Sequence, residues 1–461
     1  MKLIYNIHDK PKFPQLIVFA IQQLLAIMAA TLVVPVIIGN GMSPAAALVG
    51  AGAGTIVYLL FTKFRSPVFL GSSFAFLGSM ATAFAGATTV ALGYLGLIIG
   101  AVLAGLVYVI IAIAVKYAGV AWINKLMPPV VIGPTVAIIG LSLAGNAIND
   151  LNNQPTEATA PVHVWLSVLC GLVTLATVII CSVYGKKMMK LIPFIIGILA
   201  GYAVALIFTV IGVAANVDAL KIIDFAPFKA LVAEGVKVTT FVDIPEFTFV
   251  KAFGAFDRFT GSYFVTILAA YVPVAFVVFA EHIADHKNIS SIIEKDLLKH
   301  PGLDRTLLGD GVGSMAGAFF GGCPNTTYGE SVACVAITGN ASVVTILAAA
   351  VGAIIIAFIS PFVAFVDSIP SCVMGGVCIA LYGFIAVSGL KMIQKVDLEQ
   401  HKNLFVVSVI LICGIGGLTL TFGKVSITSI ACALILGILT NLLVSKAKDE
   451  VVEEKTEKKN K

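Results

Sequence analysis

The sequence predicts an all-α polytopic membrane protein, and three observations predict it. Of 461 residues, 59% are hydrophobic and only 11% are charged, with a mean hydropathy of +1.04. A soluble domain is about 45–50% apolar and about 25% charged, so this chain has too few charges for a water-facing surface. Apolar runs recur along the chain, and most of the 29 lysines and arginines lie between them or at the ends. A soluble enzyme, a secreted disulfide scaffold and a disordered chain are therefore excluded.

Fourteen apolar stretches cover about two thirds of the chain. Eleven have the length of a membrane-crossing helix of about 20 residues, and they cover 14–39, 44–62, 90–115, 128–148, 162–184, 191–215, 260–284, 342–360, 370–390, 403–421 and 426–445. Three more, over 67–87, 305–321 and 324–339, are apolar but interrupted by small or polar residues. Placing both termini in the cytoplasm puts most basic residues in cytoplasmic segments, as the positive-inside rule requires.

A weak internal repeat relates the two halves of the chain. The run MPPVVIG from Met127 resembles the run IPSCVMG from Ile369, seven spans later, and the interrupted stretches 67–87 and 324–339 have the same offset. Because an offset of seven spans is odd, equivalent spans cross the membrane in opposite directions. We therefore predict two inverted seven-span repeats, as in many secondary transporters. The predicted units are the first repeat over 1–215, an extracellular connecting loop over 216–258, the second repeat over 259–445 and a cytoplasmic tail over 446–461.

Two interrupted stretches have the pattern of a short strand followed by a half-helix. One reads PVFLGSSFAF from Pro67 and the other PNTTYGE from Pro324. Non-helical backbone is tolerated at membrane depth only where protein or a polar cavity satisfies it. We therefore expect two half-helix N-termini to point free N–H groups into one central cavity. The alternative is that the small residues only allow close helix packing.

Four acidic residues fall within or at the edge of apolar segments: Glu281, Asp285, Asp310 and Glu330. Ionisable residues inside the membrane are costly and usually functional. Glu281 and Asp285 are four residues apart, so they share one helix face. The alternative for Asp285 is a solvated helix end. For Asp310, which stands between two glycines, we expect a helix cap.

The predicted cavity favours a small, flat, neutral ligand. It offers backbone N–H donors, carboxylates and aromatic faces but no cationic side chain, so a nucleobase fits better than a large anion. Carboxylates close together in a low-dielectric site cannot all be ionised easily, so they can also bind and release a proton. The six histidines are scattered without an H-E-x-x-H pattern, so no metal site or catalytic set is indicated.

Three runs are distinctive: AEHI over 280–283, NTTYGE over 325–330 and GSSFAF over 71–76. They resemble motifs of the nucleobase–ascorbate transporter family (nucleobase:cation symporter type 2), especially its bacterial uracil-permease subgroup. The resemblance covers nearly the whole chain, including QQL over 22–24 and LYG over 381–383. It implies fourteen spans in two inverted repeats with short strands in spans 3 and 10. Spans 1–4 and 8–11 would form a core domain, and spans 5–7 and 12–14 a gate domain.

The resemblance also implies roles for individual residues. Glu281 and Glu330 would bind a pyrimidine, and the backbone amides of Phe74 and Gly329 would meet its carbonyl groups. The side chains expected to line the site are those of Ala30, Tyr328 and Tyr382. Proton coupling would involve Asp285, Glu281 and Glu330, with the proton as coupling ion and no other cofactor.

Two departures from the family pattern bear on function. Many members have histidine where this chain has Asp285. After the site glutamate the family usually has Asn-x-Gly, then four residues, a threonine and often a basic residue, where this chain has Ser331, Ala333, Thr338 and Gly339. The missing asparagine and basic residue argue against a xanthine or urate carrier.

We therefore expect a proton-coupled uracil importer that serves pyrimidine salvage in the plasma membrane of a bacterium. The alternatives are another base such as a purine, an anion, a channel or a membrane-embedded enzyme. The expected partners are uracil, the lipid bilayer and a second copy through the gate domain, without nucleic acid.

Overall fold

The computed structural model describes residues 3–119, 121–152, 164–186, 188–233, 235–422 and 425–445, so the predicted tail lies outside the described residues. The described chain is mainly helical. Its first half contains α1 (Phe13–Ile38), α2 (Pro44–Phe61), α3 (Leu77–Ala85), α4 (Val90–Ala118), α5 (Ala121–Leu126), α6 (Pro129–Ser142), α7 (Ala144–Asn152), α8 (Val164–Tyr184), α9 (Met188–Leu191) and α10 (Pro193–Ala215).

The second half contains α11 (Ala226–Val232), α12 (Thr248–Ala252), α13 (Gly261–Ile293), α14 (Leu303–Gly321), α15 (Gly329–Thr338), α16 (Val343–Ala357), α17 (Ser360–Asp367), α18 (Ser371–Ile393), α19 (His401–Ile415) and α20 (Ser429–Val444). The strands are β1 (Leu70–Ser72), β2 (Asn325–Thr327), β3 (Leu420–Phe422) and β4 (Val425–Ile427).

Eight helical stretches in the described part of the chain are long and apolar enough to cross a membrane. They are Phe13–Ile38, Pro44–Phe61, Val90–Ala118, Pro129–Asn152, Val164–Tyr184, Pro193–Ala215, Gly261–Ile293 and Ser371–Ile393. Each coincides with a predicted span, so the chain is a multi-pass membrane protein. The helix predicted over 260–284 continues to Ile293, because the amphipathic residues after Asp285 still pack against the protein.

The two interrupted stretches meet at the centre of the molecule. β1 and β2 pair in antiparallel register, with Leu70 opposite Thr327 and Ser72 opposite Asn325. β1 leads through a short 3-10 turn into α3, and β2 leads directly into α15. The predicted sequence of strand followed by half-helix is thus present twice.

Close contact between α2 and α14 supports this centre. A Cβ atom on Gly313 would lie 2.7 Å from the carbonyl oxygen of Gly54, so the two backbones touch where both residues lack a side chain. The amide of Asn325 in β2 donates to the carbonyl of Gly50 at 2.9 Å. Small residues therefore allow α2 and α14 to clamp the strand pair from one side.

Three local features differ from the sequence prediction. The span expected over 128–148 is broken at Leu143 into α6 and α7. β3 and β4 pair antiparallel between α19 and α20. The sequence prediction placed β3 in a membrane span, because a three-residue strand is too short to show a periodic pattern. The connecting segment 216–258 contains α11 and α12 and is fixed by a bridge between Val242 and Ile359.

Candidate functional site

Two half-helix starts come together where β1 meets β2. The N-cap positions are Ser73 for the turn that begins at Phe74 and Tyr328 for α15, and neither side chain caps its helix. The first N–H groups of a helix have no partner within the helix, and the positive end of the helix dipole lies there. The two starts can therefore donate to the carbonyl groups of a ligand.

The predicted carboxyl residues surround the start of α15. The hydroxyl of Thr327 donates to Oδ2 of Asp285 at 2.7 Å, and a Cβ atom on Gly329 would lie 3.8 Å from the other oxygen of Asp285. Glu281 lies close enough to Asp285 and Glu330 for their charges to interact. Glu281 and Glu330 are half-buried and Gly329 is exposed, so this cluster faces an accessible space. Asp285 is only 8% exposed, which excludes a solvated helix end.

Aromatic and small side chains line the same region. The rings of Phe74 and Tyr382 meet edge to face, with centroids 5.7 Å apart. Tyr328 is buried, lies against Gly71 of β1 and donates to the carbonyl of Ser72 at 2.8 Å. Ala30 of α1 is buried as well. The structure thus brings Phe74 next to Tyr382, and Tyr328 next to the carboxyl cluster.

Sequence reasoning missed a joint that holds the start of α15. The hydroxyl of Ser331 accepts from Nε2 of Gln23 at 2.5 Å and from the backbone N–H of Phe69 at 3.2 Å. This joint ties α1, the approach to β1 and α15 together one residue after Glu330. The signals in the sequence were that Gln23 lies in a motif of the family and that Ser331 directly follows the site glutamate.

The expectation that Asp310 caps a helix is wrong. Asp310 lies in the middle of α14, is fully buried, and its Oδ2 lies 2.7 Å from Nδ1 of His282. The glycines beside it allow close approach: a Cβ atom on Gly309 would lie 3.0 Å from the ring of Tyr58, and one on Gly311 would lie 2.8 Å from Cβ of Tyr108. They serve helix packing and do not end a helix.

A separate cavity of about 240 Å³ lies toward the C-terminal end of α1. Ala29, Pro35, Ile198 and Met374 are among its mainly apolar lining residues. None of the predicted site residues lines this cavity. Among the described residues, no group of three or more His, Cys, Asp or Glu side chains is arranged to hold a metal ion.

Helices long and apolar enough to cross a membrane surround two central half-helices, and solved membrane transporters share this fold. The transmembrane domain of a cyanobacterial bicarbonate transporter, BicA, matches with a TM-score of 0.60 at 14% identity, over 95% of this chain and 100% of that one. The murine anion transporter Slc26a9 matches with a TM-score of 0.59 at 12% identity, over 95% of this chain and 69% of that one. At these identities the likeness shows the fold alone.

Sequence similarity identifies the family. The model of the permease family Xan_ur_permease matches residues 14–423. The uracil permease of Bacillus caldolyticus is 39% identical over 446 residues, or 96% of this chain and 95% of that one. Those of Bacillus subtilis strain 168 and Escherichia coli K12 are 38% and 34% identical, over 97% and 95% of this chain and 97% and 93% of theirs. The chain belongs to this permease family, which confirms the resemblance, and it is a permease and not an enzyme.

Proposed function

We propose that this permease imports uracil across the plasma membrane together with protons. The proposal depends on one observation: two uncapped half-helix starts meet the carboxyl groups of Glu281, Asp285 and Glu330 in one place. The relatives named uracil permease, at 34–39% identity over nearly their full length, support uracil as the substrate.

Uracil has the groups that such a site can bind. Its ring N–H groups would donate to Glu281 and Glu330, and its carbonyl groups would accept from the backbone N–H groups of Phe74 and Gly329. The flat ring would lie among Ala30, Tyr328, Phe74 and Tyr382. Because every polar edge of the base finds a partner, the desolvation of the base is compensated.

Proton coupling requires a group whose proton occupancy changes between the outward-facing and inward-facing states. Asp285 fits this role because it is buried, one helical turn from Glu281, and bonded to the strand that leads to Glu330. Closely spaced buried carboxyls share protons. Uracil and protons would therefore bind to one connected set of carboxyls, and no cofactor besides the proton is needed.

The architecture we propose is fourteen crossings in two inverted repeats. Spans 1, 2 and 4 are α1, α2 and α4, and their counterparts 8, 9 and 11 are α13, α14 and α16. Equivalent helices make equivalent contacts. The contact of α1 with α16 corresponds to that of α13 with α4, and the contact of α2 with α16 corresponds to that of α14 with α4. The antiparallel pairing of β1 with β2 suits equivalent spans of opposite orientation.

The remaining spans repeat this relation. Spans 5–7 are α6–α7, α8 and α10, and their counterparts 12–14 are α18, α19 and α20. The contact of α8 with α18 in one repeat corresponds to that of α19 with α6 in the other. Likewise, the contact of α8 with α10 corresponds to that of α19 with α20. These six spans pack mainly with one another, and spans 1–4 and 8–11 do the same. This division supports a gate domain and a core domain that move relative to each other, with repeats at 1–215 and 259–445.

The remaining parts of the proposal concern location and assembly. Both termini would lie in the cytoplasm of a bacterial cell, with 216–258 outside, because this arrangement keeps most basic residues inside. A homodimer through the gate domain would leave the core domain free to move.

Other ligand classes fit the site less well. An anion would face the carboxyl groups of Glu281, Asp285 and Glu330, and none of the buried residues in the described part of the chain is a lysine or arginine that could offset their charge. A fused purine is wider than a pyrimidine, and the edge-to-face contact of Phe74 with Tyr382 limits the space for a ring. A channel or an enzyme is disfavoured because the relatives are permeases.

Uptake into proteoliposomes tests the proposal. The purified full chain should accumulate radiolabelled uracil when the lumen is alkaline, and collapse of the gradient should abolish accumulation. Excess unlabelled uracil and 5-substituted uracils should compete, and xanthine and adenine should not. Competition by xanthine as effective as that by uracil would refute the pyrimidine assignment, and accumulation indifferent to the pH gradient would refute proton coupling.

A further inference from the structure

A second pair of ionisable side chains is buried beside the proposed site. His282 on α13 and Asp310 on α14 are fully buried, with Nδ1 and Oδ2 2.7 Å apart. The other ring nitrogen of His282, Nε2, lies 3.0 Å from the hydroxyl of Thr306. Neither uracil binding nor the proton coupling described above uses this pair.

Hydrogen bonding determines where the ring of His282 carries its protons. The hydroxyl of Thr306 lies 3.2 Å from the carbonyl of Leu303, and when it donates to that carbonyl it accepts from Nε2 of His282. A neutral imidazole has one N–H group, and this one is then at Nε2. Nδ1 would face Oδ2 of Asp310 with a lone pair. Two lone pairs at 2.7 Å repel, so a proton must lie between these atoms.

We propose that His282 and Asp310 together bind one proton and so form a buried pair without net charge. The carboxylic acid donates to the imidazole, or the imidazolium donates to the carboxylate; both forms are neutral overall. If Thr306 donated to the ring instead, Asp310 would be a buried carboxylate, and its Oδ1 has no hydrogen-bond partner. Since no lysine or arginine is buried in the described part of the chain, that state would be strongly disfavoured.

The neighbouring groups favour the same assignment. The ionisable groups near the pair are Glu281, Asp285 and His286 on α13, Tyr58 on α2 and Tyr108 on α4. The ring of His286 stacks on that of His282 with centroids 4.0 Å apart, and its Nδ1 donates to the carbonyl of His282. Nε2 of His286 lies 2.7 Å from the hydroxyl of Tyr58 and can accept from it, so a neutral His286 has both ring nitrogens hydrogen-bonded. A neutral His286 adds no charge beside the pair of His282 and Asp310.

A neutral pair matters for the carboxyls of the proposed site. Asp310 is close enough to Glu281 and Asp285 for a charge on it to act on both. The shared proton removes that charge, and the hydrogen bond holds α13 against α14. His282 is therefore a positioning residue for Glu281 and Asp285. This consequence rests on the proposed transport of uracil, whereas the proton count does not.

Nuclear magnetic resonance of the full chain in bilayers tests the proton count directly. With isotope-labelled histidine, and with His282→Gln to assign the signal, we expect a protonated Nε2 at neutral pH. Nδ1 should be protonated or accept a strong hydrogen bond. A neutral ring with its only proton on Nδ1 would overturn the proposal, whether or not the chain transports uracil.

Uptake by a single and a double variant tests the consequence for transport. Loss of one partner leaves the other uncompensated, whereas replacement of both partners by neutral groups does not. We expect His282→Leu to lower uracil uptake above neutral pH by about tenfold or more. Adding Asp310→Asn to that variant should restore most of the uptake. If the single and the double variant lose the same amount of uracil uptake, at equal amounts of folded protein in the membrane, His282 does not neutralise a charge on Asp310 and the proposed consequence is wrong.

Discussion

The hydrogen bond from Thr327 to Asp285 gives the sharpest test of the proposed coupling. Thr327→Val removes the hydroxyl that lies 2.7 Å from Oδ2 of Asp285 and keeps a similar shape. The chain offers a matched control in the adjacent residue, because Thr326 is also buried in β2 but its hydroxyl has no hydrogen-bond partner. Thr326→Val makes the same chemical change without affecting a carboxyl.

The size of the effect follows from the loss of a bond to a charged acceptor. Such a bond contributes about 1.5–3 kcal/mol, and each 1.4 kcal/mol is about a factor of ten. The donor stabilises the ionised form of Asp285, so without it the proton is released only at higher pH. The pH at which gradient-driven uracil uptake is half-maximal should therefore rise by about one to two units.

The assay is uracil uptake into proteoliposomes over a series of external pH values at a constant pH difference. Thr327→Val should shift the profile to higher pH, and Thr326→Val should follow the unmodified chain. Uracil binding at equilibrium should change less than accumulation in both variants. If the two valine variants have the same profile, the hydroxyl of Thr327 does not tune a coupling group, and the role of Asp285 must be abandoned.

Further substitutions test three other parts of the reasoning. Glu281→Gln and Glu330→Gln should each reduce uracil binding by a factor that corresponds to about 1.5–3 kcal/mol while the protein remains folded in the membrane; near-normal binding by both would contradict the site assignment. Asp285→Asn should reduce gradient-driven accumulation far more than equilibrium binding, and unchanged accumulation would leave coupling to the two glutamates. Gly313→Ala should destabilise the protein by about 1–3 kcal/mol, because the added methyl group meets the backbone of α2. The control Gly145→Ala adds a methyl group into open space and should leave the stability unchanged. Equal thermal stability of the two variants would refute the close contact.

Local patterns were sufficient for much of the fold. Long apolar runs identified the long membrane-crossing helices, since length and hydropathy are local properties. The runs PVFLGSSFAF and PNTTYGE predicted a strand followed by a half-helix because their small polar residues break a helical pattern. The same approach failed at β3 and β4, where three-residue strands are too short for a periodic signal.

The sequence by itself determined the membrane class, the family and the residue types available for a site. Only the tertiary structure decided which of them meet, because contacts between distant residues leave no local trace. Tyr328 bonds to Ser72, 256 positions away, through the pairing of β1 with β2. Asp310 looked like a helix cap beside glycines, yet the packing of α13 on α14 makes it the partner of His282. Glycine and acidic residues have several local uses, and the surrounding helices select one of them.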